Sequence, residues 1–317
     1  MHWDEPWPKL AAGSLEDRRI AQMDLEAYVG SIARCSPQIR IRAWKPILEG
    51  WDSVVVEVNG ELIFRFPRRS QVQAQLEKEI LLLPELARVL PVSVPRFDFV
   101  GTVDDSEDTR FVGYRKIGGE GLTREMLGPW SVRRRERQLA AFLSELHRFP
   151  VGEAVRLGVG CSSSAQWRQE YRNLRDRVRR EVLPLLAPVV RARANAVWNE
   201  FLDSEENFRF GPVLVHRDLG GEHILCDPDQ GDVTGIIDWG DASIGDPAID
   251  FAGLLCDFGA EFTRGVLAGY EGEVGETFWS RVEFYARIVG FYEILYGLQE
   301  GNSTHVAYGL ERLKLDL

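Results

Sequence analysis

The chain reads as an α+β protein of two lobes, a small one built on an antiparallel sheet (residues 1–117) and a larger, mostly helical one (118–317). Three observations predict this. A chain of 317 residues with 44% hydrophobic content has material for more than one core. The runs SVVVEV at 53–58 and ELIFRF at 61–66 flank Asn59-Gly60, a dipeptide suited to the two left-handed positions of a tight hairpin turn. Beyond residue 120 helical spacing dominates, interrupted by one more hairpin pattern, ILCD and VTGIID on either side of the polar DPDQGD turn.

In chain order, 15–34 carries apolar residues at helical spacing with Ser14 as its N-cap. After the Asn59-Gly60 hairpin, 71–90 predicts a helix in which Pro84 marks a kink or junction. Segments 96–103 and 110–117 complete the small sheet and are joined by the acidic turn DDSED. In the second lobe Ser131 is placed to cap a helix running to His147, a helix-terminal histidine read as structural. The basic amphipathic stretch 165–187 is read as a solvated or internally paired helix.

Charge divides the chain. Residues 199–317 carry 7 Lys/Arg against 23 Asp/Glu, a balance of −16, whereas residues 1–198 carry 31 against 26. An acidic second half repels nucleic acid and steers cationic ligands toward itself. No apolar run approaches the length of a bilayer span. The start, MHWDEPWPKL, has neither a basic region nor an apolar core, so no secretion signal is expected. Cys35, Cys161, Cys226 and Cys256 have neither metal-ligand nor disulfide spacing, as expected of thiols in a reducing cytoplasm.

The chemistry is concentrated in HRDLGGEHILCDPDQGDVTGIIDWGD at 216–241. This has the layout of a kinase catalytic loop, H-R-D-L-x-x-x-N, followed by the metal-binding D-F-G. His216, Arg217, Asp218 and Leu219 fit; His223 takes the asparagine position, and Asp238-Trp239-Gly240 stands for the second motif. Phosphoryl transfer is mainly positioning and charge neutralisation. It needs a carboxylate beside the attacking hydroxyl, for which Asp218 is the candidate, and ligands that hold Mg²⁺ against a triphosphate, for which His223 and Asp238 are candidates. The hairpin after His223 would return Asp238 beside the loop. The plain alternative is a surface hairpin whose acids only form turns, as Asp227, Asp229 and Asp232 are read to do.

The same residues, with Ile237-Asp238-Trp239-Gly240-Asp241 and then Gly245-Asp246-Pro247-Ala248-Ile249-Asp250, resemble the aminoglycoside phosphotransferase family, which shares the kinase fold. GWDSVVVEVNGELIFRFPRR at 50–69, FVGYRKIGGEGLT at 111–123, LAAFLSELH at 139–147 and ILYGL at 294–298 look like its 2″-O-phosphotransferase branch, where histidine also takes the asparagine position. The resemblance covers roughly 45–300.

It implies a bilobal kinase-like fold, ATP or GTP as donor, Mg²⁺, and a cationic antibiotic as acceptor for a cytoplasmic, monomeric enzyme. The segment Glu49-Gly50-Trp51-Asp52-Ser53 replaces a glycine-rich loop, with Ser53 near phosphate. Arg65 stands where the family usually has a lysine that pairs with the α/β-phosphates; arginine keeps the charge but changes the geometry. Glu79, with Glu77 as fallback, would anchor that cation. Arg115 C=O and Ile117 N–H would face the purine, with Tyr114 behind it. Asp241, Asp257, Glu261 and Tyr292 would meet the acceptor, with Glu293 and Tyr296 on the same late helix. Asp246 and Asp250 would brace the catalytic loop. Cys256 replaces a glutamate seen in some relatives. Rival readings are a macrolide kinase, a kinase of a small cellular alcohol, and a catalytically silent binding module, the last favoured by Arg65 and His223.

Overall fold

The computed structural model describes residues 15–47, 53–103, 109–128 and 131–317, and of residues 15–24 the backbone alone. Ser14, Glu49–Asp52 and the acidic turn at 104–108 lie outside the described residues. The chain separates into two compact units. One runs to Ile80 and resumes over Pro95–Lys116; the other comprises Leu81–Val94 and Ile117–Leu317.

The first unit is an antiparallel sheet with a helix, α1 (Leu15–Cys35), packed on it. Strands β1 (Trp44–Ile47), β2 (Ser53–Val58) and β3 (Leu62–Pro67) are followed by helix α2 (Ser70–Leu86), then β4 (Phe97–Thr102) and β5 (Arg110–Arg115). The strand order is β1-β2-β3-β5-β4. Asn59 and Gly60 take φ of 57° and 74°, as the expected turn requires. The asparagine side chain adds a second reason for its presence: Oδ1 accepts from Arg42 and Ala43 N–H, and Nδ2 donates to Arg40 C=O. Val56, Val58, Phe64, Phe66 and Phe111 are buried together with Leu25 and Ile32 of α1. Pro84 lies inside α2 and does not end it. It has no N–H to offer Ile80 C=O, and Ile80 is the last residue of the first unit's opening stretch.

The second unit opens with β6 (Glu120–Gly121) and α3 (Val132–Arg148), α4 (Val151–Arg156), α5 (Ser164–Glu181) and α6 (Pro188–Asp203). Strand β7 (Val213–Val215), the hairpin β8 (Ile224–Cys226) and β9 (Val233–Ile236), and β10 (Ser243–Gly245) follow. Helices α7 (Ala248–Ala268), α8 (Phe278–Arg287), α9 (Val289–Gln299) and α10 (Ser303–Asp316) complete it. Strand β10 pairs with β7, and β6-β8-β9 form a second small sheet. An aromatic core joins the helices; Phe201 and Phe284 stack at 3.5 Å beside Trp198 and Tyr171. Among the described residues no helix is long and apolar enough to cross a membrane.

Three local expectations change. Ser131 occupies the N-cap of α3 without capping it; its hydroxyl donates to Met126 and Gly128 C=O instead. The stretch 165–187 is one helix only to Glu181, after which Pro184 sits in a short 3-10 turn. Its start is fixed by a capping box of Ser163 and Gln166 that the sequence reading missed, a motif worth about 1 kcal/mol. Asp232 is more than a turn former, since its carboxylate accepts from Arg134 and Gln138 of α3 and ties the hairpin to that helix.

Candidate active site

Buried strand β7 delivers the chain into the loop that begins at His216. Asp250, in the first turn of α7, receives it: Oδ2 accepts His216 N–H at 2.9 Å and Oδ1 accepts Arg217 N–H at 2.7 Å. His147, at the end of α3, buttresses the same carboxylate, with Nε2 3.0 Å from Asp250 Oδ2 and Nδ1 2.7 Å from Tyr270 Oη. The bracing expected of Asp250 is therefore direct. Asp246 works one step further back, holding Arg281 and Tyr285 of α8.

His216 is fully buried. Its Nε2–H donates to Ile237 C=O at 3.0 Å and its Nδ1 accepts from Asp218 N–H at 3.3 Å. Burial pushes its pKa down to about 4, against the pull of Asp250, so the neutral ring links the catalytic loop to the residue before Asp238. Trp239, also fully buried, sets its edge against His216 and Phe142 and donates from Nε1 to Ile236 C=O. Arg217 and Asp238 adopt φ of 73° and 63°, a region costly for side-chain-bearing residues unless their surroundings hold them there. Arg217 is held by its bond to Asp250, by stacking 5.0 Å over Trp167, and by an ion pair with Glu170 of α5.

These restraints bring the expected trio together. His223 Nδ1 donates to Asp218 C=O at 2.7 Å and lies 3.5 Å from Asp218 Oδ2. Its Nε2 faces Asp238 Oδ2 at 3.7 Å and Glu222 Oε1 at 3.8 Å. Burial disfavours a charged imidazole, yet Asp218 and Asp238 outweigh it and hold the His223 pKa above its ordinary value. Asp218 keeps 57% of its side chain exposed. Partial loss of hydration and the like charges of Asp241, Asp238 and Glu222 nevertheless raise its pKa above the usual carboxylate range, with His223 opposing them.

The donor set fits a hard cation in part. Two ligands of one Mg²⁺ at about 2.1 Å sit roughly 3–4 Å apart, which the His223–Asp238 separation of 3.7 Å allows. Among the described residues no group of three or more His, Cys, Asp or Glu side chains forms a metal cage.

In the first unit Arg65 and Glu79 are both buried and joined by two bonds, Nη1–Oε2 at 2.8 Å and Nη2–Oε1 at 3.3 Å. Glu77 pairs instead with Arg110 and Gln73. Ser53 begins β2 opposite Pro67 and is buried. Arg115 is exposed at the end of β5, with Tyr114 buried against Phe97. In the second unit Ile117 packs beside Gly235 of β9.

The residues expected to meet the acceptor separate into two groups. Asp241 and Glu261 are exposed, and Tyr292 is 43% exposed on α9. Asp257 instead turns its carboxylate inward, accepting Gly221 N–H at 2.6 Å. Glu293 is buried and pairs with His305 of α10. Cys256 is turned toward Ala286 C=O, and burial raises its thiol pKa to about 12, which makes it inert. Glu222, Glu170, Trp167 and Arg124 were missed. Glu222 was discoverable from its place between Asp218 and His223; the others come from remote segments with no local signal.

The chain is similar to known proteins in sequence and in fold. The family described as phosphotransferase enzyme family matches residues 43–285. Viomycin phosphotransferase of Streptomyces vinaceus is 28% identical over 214 residues, covering 66% of this chain and 71% of that protein. An aminoglycoside 2″-phosphotransferase of type IIIa, solved with GDP and kanamycin, superposes with a TM-score of 0.85 at 32% identity, covering 91% of this chain and 97% of that one. A type I macrolide 2′-phosphotransferase superposes with a TM-score of 0.74 at 25% identity, covering 96% and 99%.

Proposed function

The chain belongs to the phosphotransferase enzyme family, and on that premise we propose that it transfers the γ-phosphate of ATP or GTP to a hydroxyl of an aminoglycoside antibiotic. The observation that carries the reading is the convergence of Asp218, His223 and Asp238, with the imidazole 3.5 Å from one carboxylate and 3.7 Å from the other.

Asp218 orients the acceptor hydroxyl and accepts its proton. A pKa raised toward neutrality suits that task, because a general base works best when its pKa lies near the working pH. Mg²⁺, when bound, would neutralise charge on the triphosphate; Asp238 would supply the stronger contact to it and His223 the weaker, since the ion prefers oxygen. Arg65 grips the α/β-phosphates, its fork held by Glu79. Ser53 lies at the phosphates, and the backbone of Arg115 and Ile117 receives the purine. In this reading the first unit is the nucleotide-binding lobe and the second the catalytic lobe.

Asp241, Glu261 and Tyr292 are exposed on the acidic second unit and meet the ammonium groups of the acceptor. The balance of −16 over residues 199–317 favours a polycation, as do the kanamycin complex of the structural relative and the viomycin phosphotransferase match. The described cysteines are all unpaired, in keeping with a cytoplasmic enzyme; we read it as a monomer. A macrolide acceptor is the second reading, favoured by the type I macrolide phosphotransferase among the structural neighbours.

The test is nucleotide consumption with ATP and with GTP against a panel of aminoglycosides, viomycin and macrolides. Turnover that depends on an aminoglycoside supports the proposal. Turnover with macrolides alone moves the assignment to the second reading, and nucleotide binding without turnover on any acceptor supports a silent binding module.

A further inference from the structure

Helix α7 meets the catalytic loop at three points along one face. Asp250 accepts His216 and Arg217 N–H. Gly253 lies so close to the loop that a Cβ there would come within 2.2 Å of Leu219 C=O. Asp257 Oδ2 accepts Gly221 N–H at 2.6 Å. Positions 250, 253 and 257 stand at i, i+3 and i+7, the spacing that puts side chains on one helix stripe. The first contact fixes the residues just before Asp218, and the last fixes the residue two before His223. The segment carrying both side chains is thus pinned at each end.

Asp257 is itself held. Two residues later α7 breaks at Gly259, where φ is 80° and ψ is 174°. Asp257 C=O accepts two bonds from Arg124, Nε at 3.1 Å and Nη2 at 2.9 Å. Gly221 has little room to move away, because a Cβ on it would lie 2.4 Å from Leu122 C=O. A carboxylate engaged in this way is poorly disposed to serve as a free charge for a ligand.

We infer that Asp257, held by Arg124, is a positioning residue that sets the Asp218–His223 segment and is not an acceptor-binding charge. The inference rests on the catalytic reading of Asp218, and its test separates the two. In the full chain, Asp257→Asn, Asp257→Ala and Arg124→Met are compared for kcat, acceptor KM and amide hydrogen exchange over residues 219–224. Asparagine keeps a carbonyl oxygen for Gly221 N–H, so kcat and KM stay within about 3-fold of wild type. Alanine removes it, and kcat falls about 10- to 100-fold, the range for losing one hydrogen bond to a charged group, while acceptor KM changes less than about 3-fold. Exchange over 219–224 speeds up in the alanine variant. Arg124→Met, which touches no acceptor, lowers kcat in the same way, and its effect is less than additive with Asp257→Ala.

A rise of about 10-fold or more in acceptor KM in both Asn and Ala variants, with kcat retained, overturns the inference in favour of a charge contact. Unchanged kcat and exchange in the alanine variant overturn it too. Should the alanine variant not fold, the contrast between Asp257→Asn and Arg124→Met decides. A wild-type enzyme with no turnover defeats the functional reading alone, because the exchange comparison still tests the positioning role.

Discussion

Arg65 meets Glu79 through two N–H···O bonds, 2.8 and 3.3 Å long, with both groups buried in the first unit. A guanidinium fork makes this pairing, and an ammonium in its place reaches one oxygen with a point charge. The departure from lysine is therefore built into the packing. Glu79→Ala removes the carboxylate that both of these N–H groups reach and is expected to destabilise the first unit, read as a lower urea midpoint. Arg65→Lys keeps the charge and costs less, with its effect mainly on nucleotide KM. Equal midpoints for Glu79→Ala and wild type would contradict the assignment of this pair as a buried support.

On the proposed mechanism, Asp218→Ala removes the group that takes the hydroxyl proton. Turnover is expected to fall about 10²- to 10⁴-fold, the usual contribution of a positioned base. Nucleotide affinity by calorimetry stays within a few-fold of wild type, because the substitution leaves Arg65 and Glu79 untouched. Retained turnover would remove Asp218 from its role.

His216 makes stability depend on pH. In the unfolded chain its imidazole takes a proton below about 6.5, while in the folded protein burial delays this to about 4. Between those values the unfolded state binds more protons, so stability falls as pH falls through the window and this contribution levels off beneath it. The shift corresponds to about 3 kcal/mol. Urea midpoints measured from pH 7 to pH 4.5 should decline for the wild type, and His216→Asn should lose part of that decline. A variant with the same slope as wild type would show that the ring is not held neutral.

Much of this was legible in the sequence, and the exceptions have a common cause. Asn59-Gly60, the β8–β9 hairpin and the trio Asp218, His223 and Asp238 depend on neighbours close in the chain. Asp250 was legible as a brace because its motif travels with the loop. The bond from Gly221 N–H to Asp257 was not legible because the two are 36 residues apart, and a carboxylate on a helix has the same letter whether it faces solvent or a backbone amide. Ser131 looked like a cap for a similar reason, its hydroxyl being drawn off by Met126 C=O. Arg217 gave no hint of Trp167 and Glu170, which come from a distant helix.

His223 distinguishes metal ligation from loop support. His223→Asn offers Mg²⁺ an oxygen and keeps a side-chain donor for Asp218 C=O, so turnover should stay within about 10-fold and half-saturating Mg²⁺ should fall, since the ion prefers oxygen ligands. His223→Ala loses both and should raise the Mg²⁺ requirement. Identical Mg²⁺ titrations for wild type and both variants would assign His223 to the loop alone.

The proposed reaction places a phosphoryl group on a hydroxyl of a cationic antibiotic. It is tested most directly by incubating the enzyme with Mg²⁺, ATP or GTP and kanamycin, and identifying the product by mass spectrometry and phosphorus NMR. The expected product is kanamycin carrying one phosphate ester, formed one-for-one with nucleoside diphosphate and abolished in Asp218→Ala. Nucleotide hydrolysis that leaves every aminoglycoside unmodified, or a phosphate ester found on macrolides alone, would contradict it.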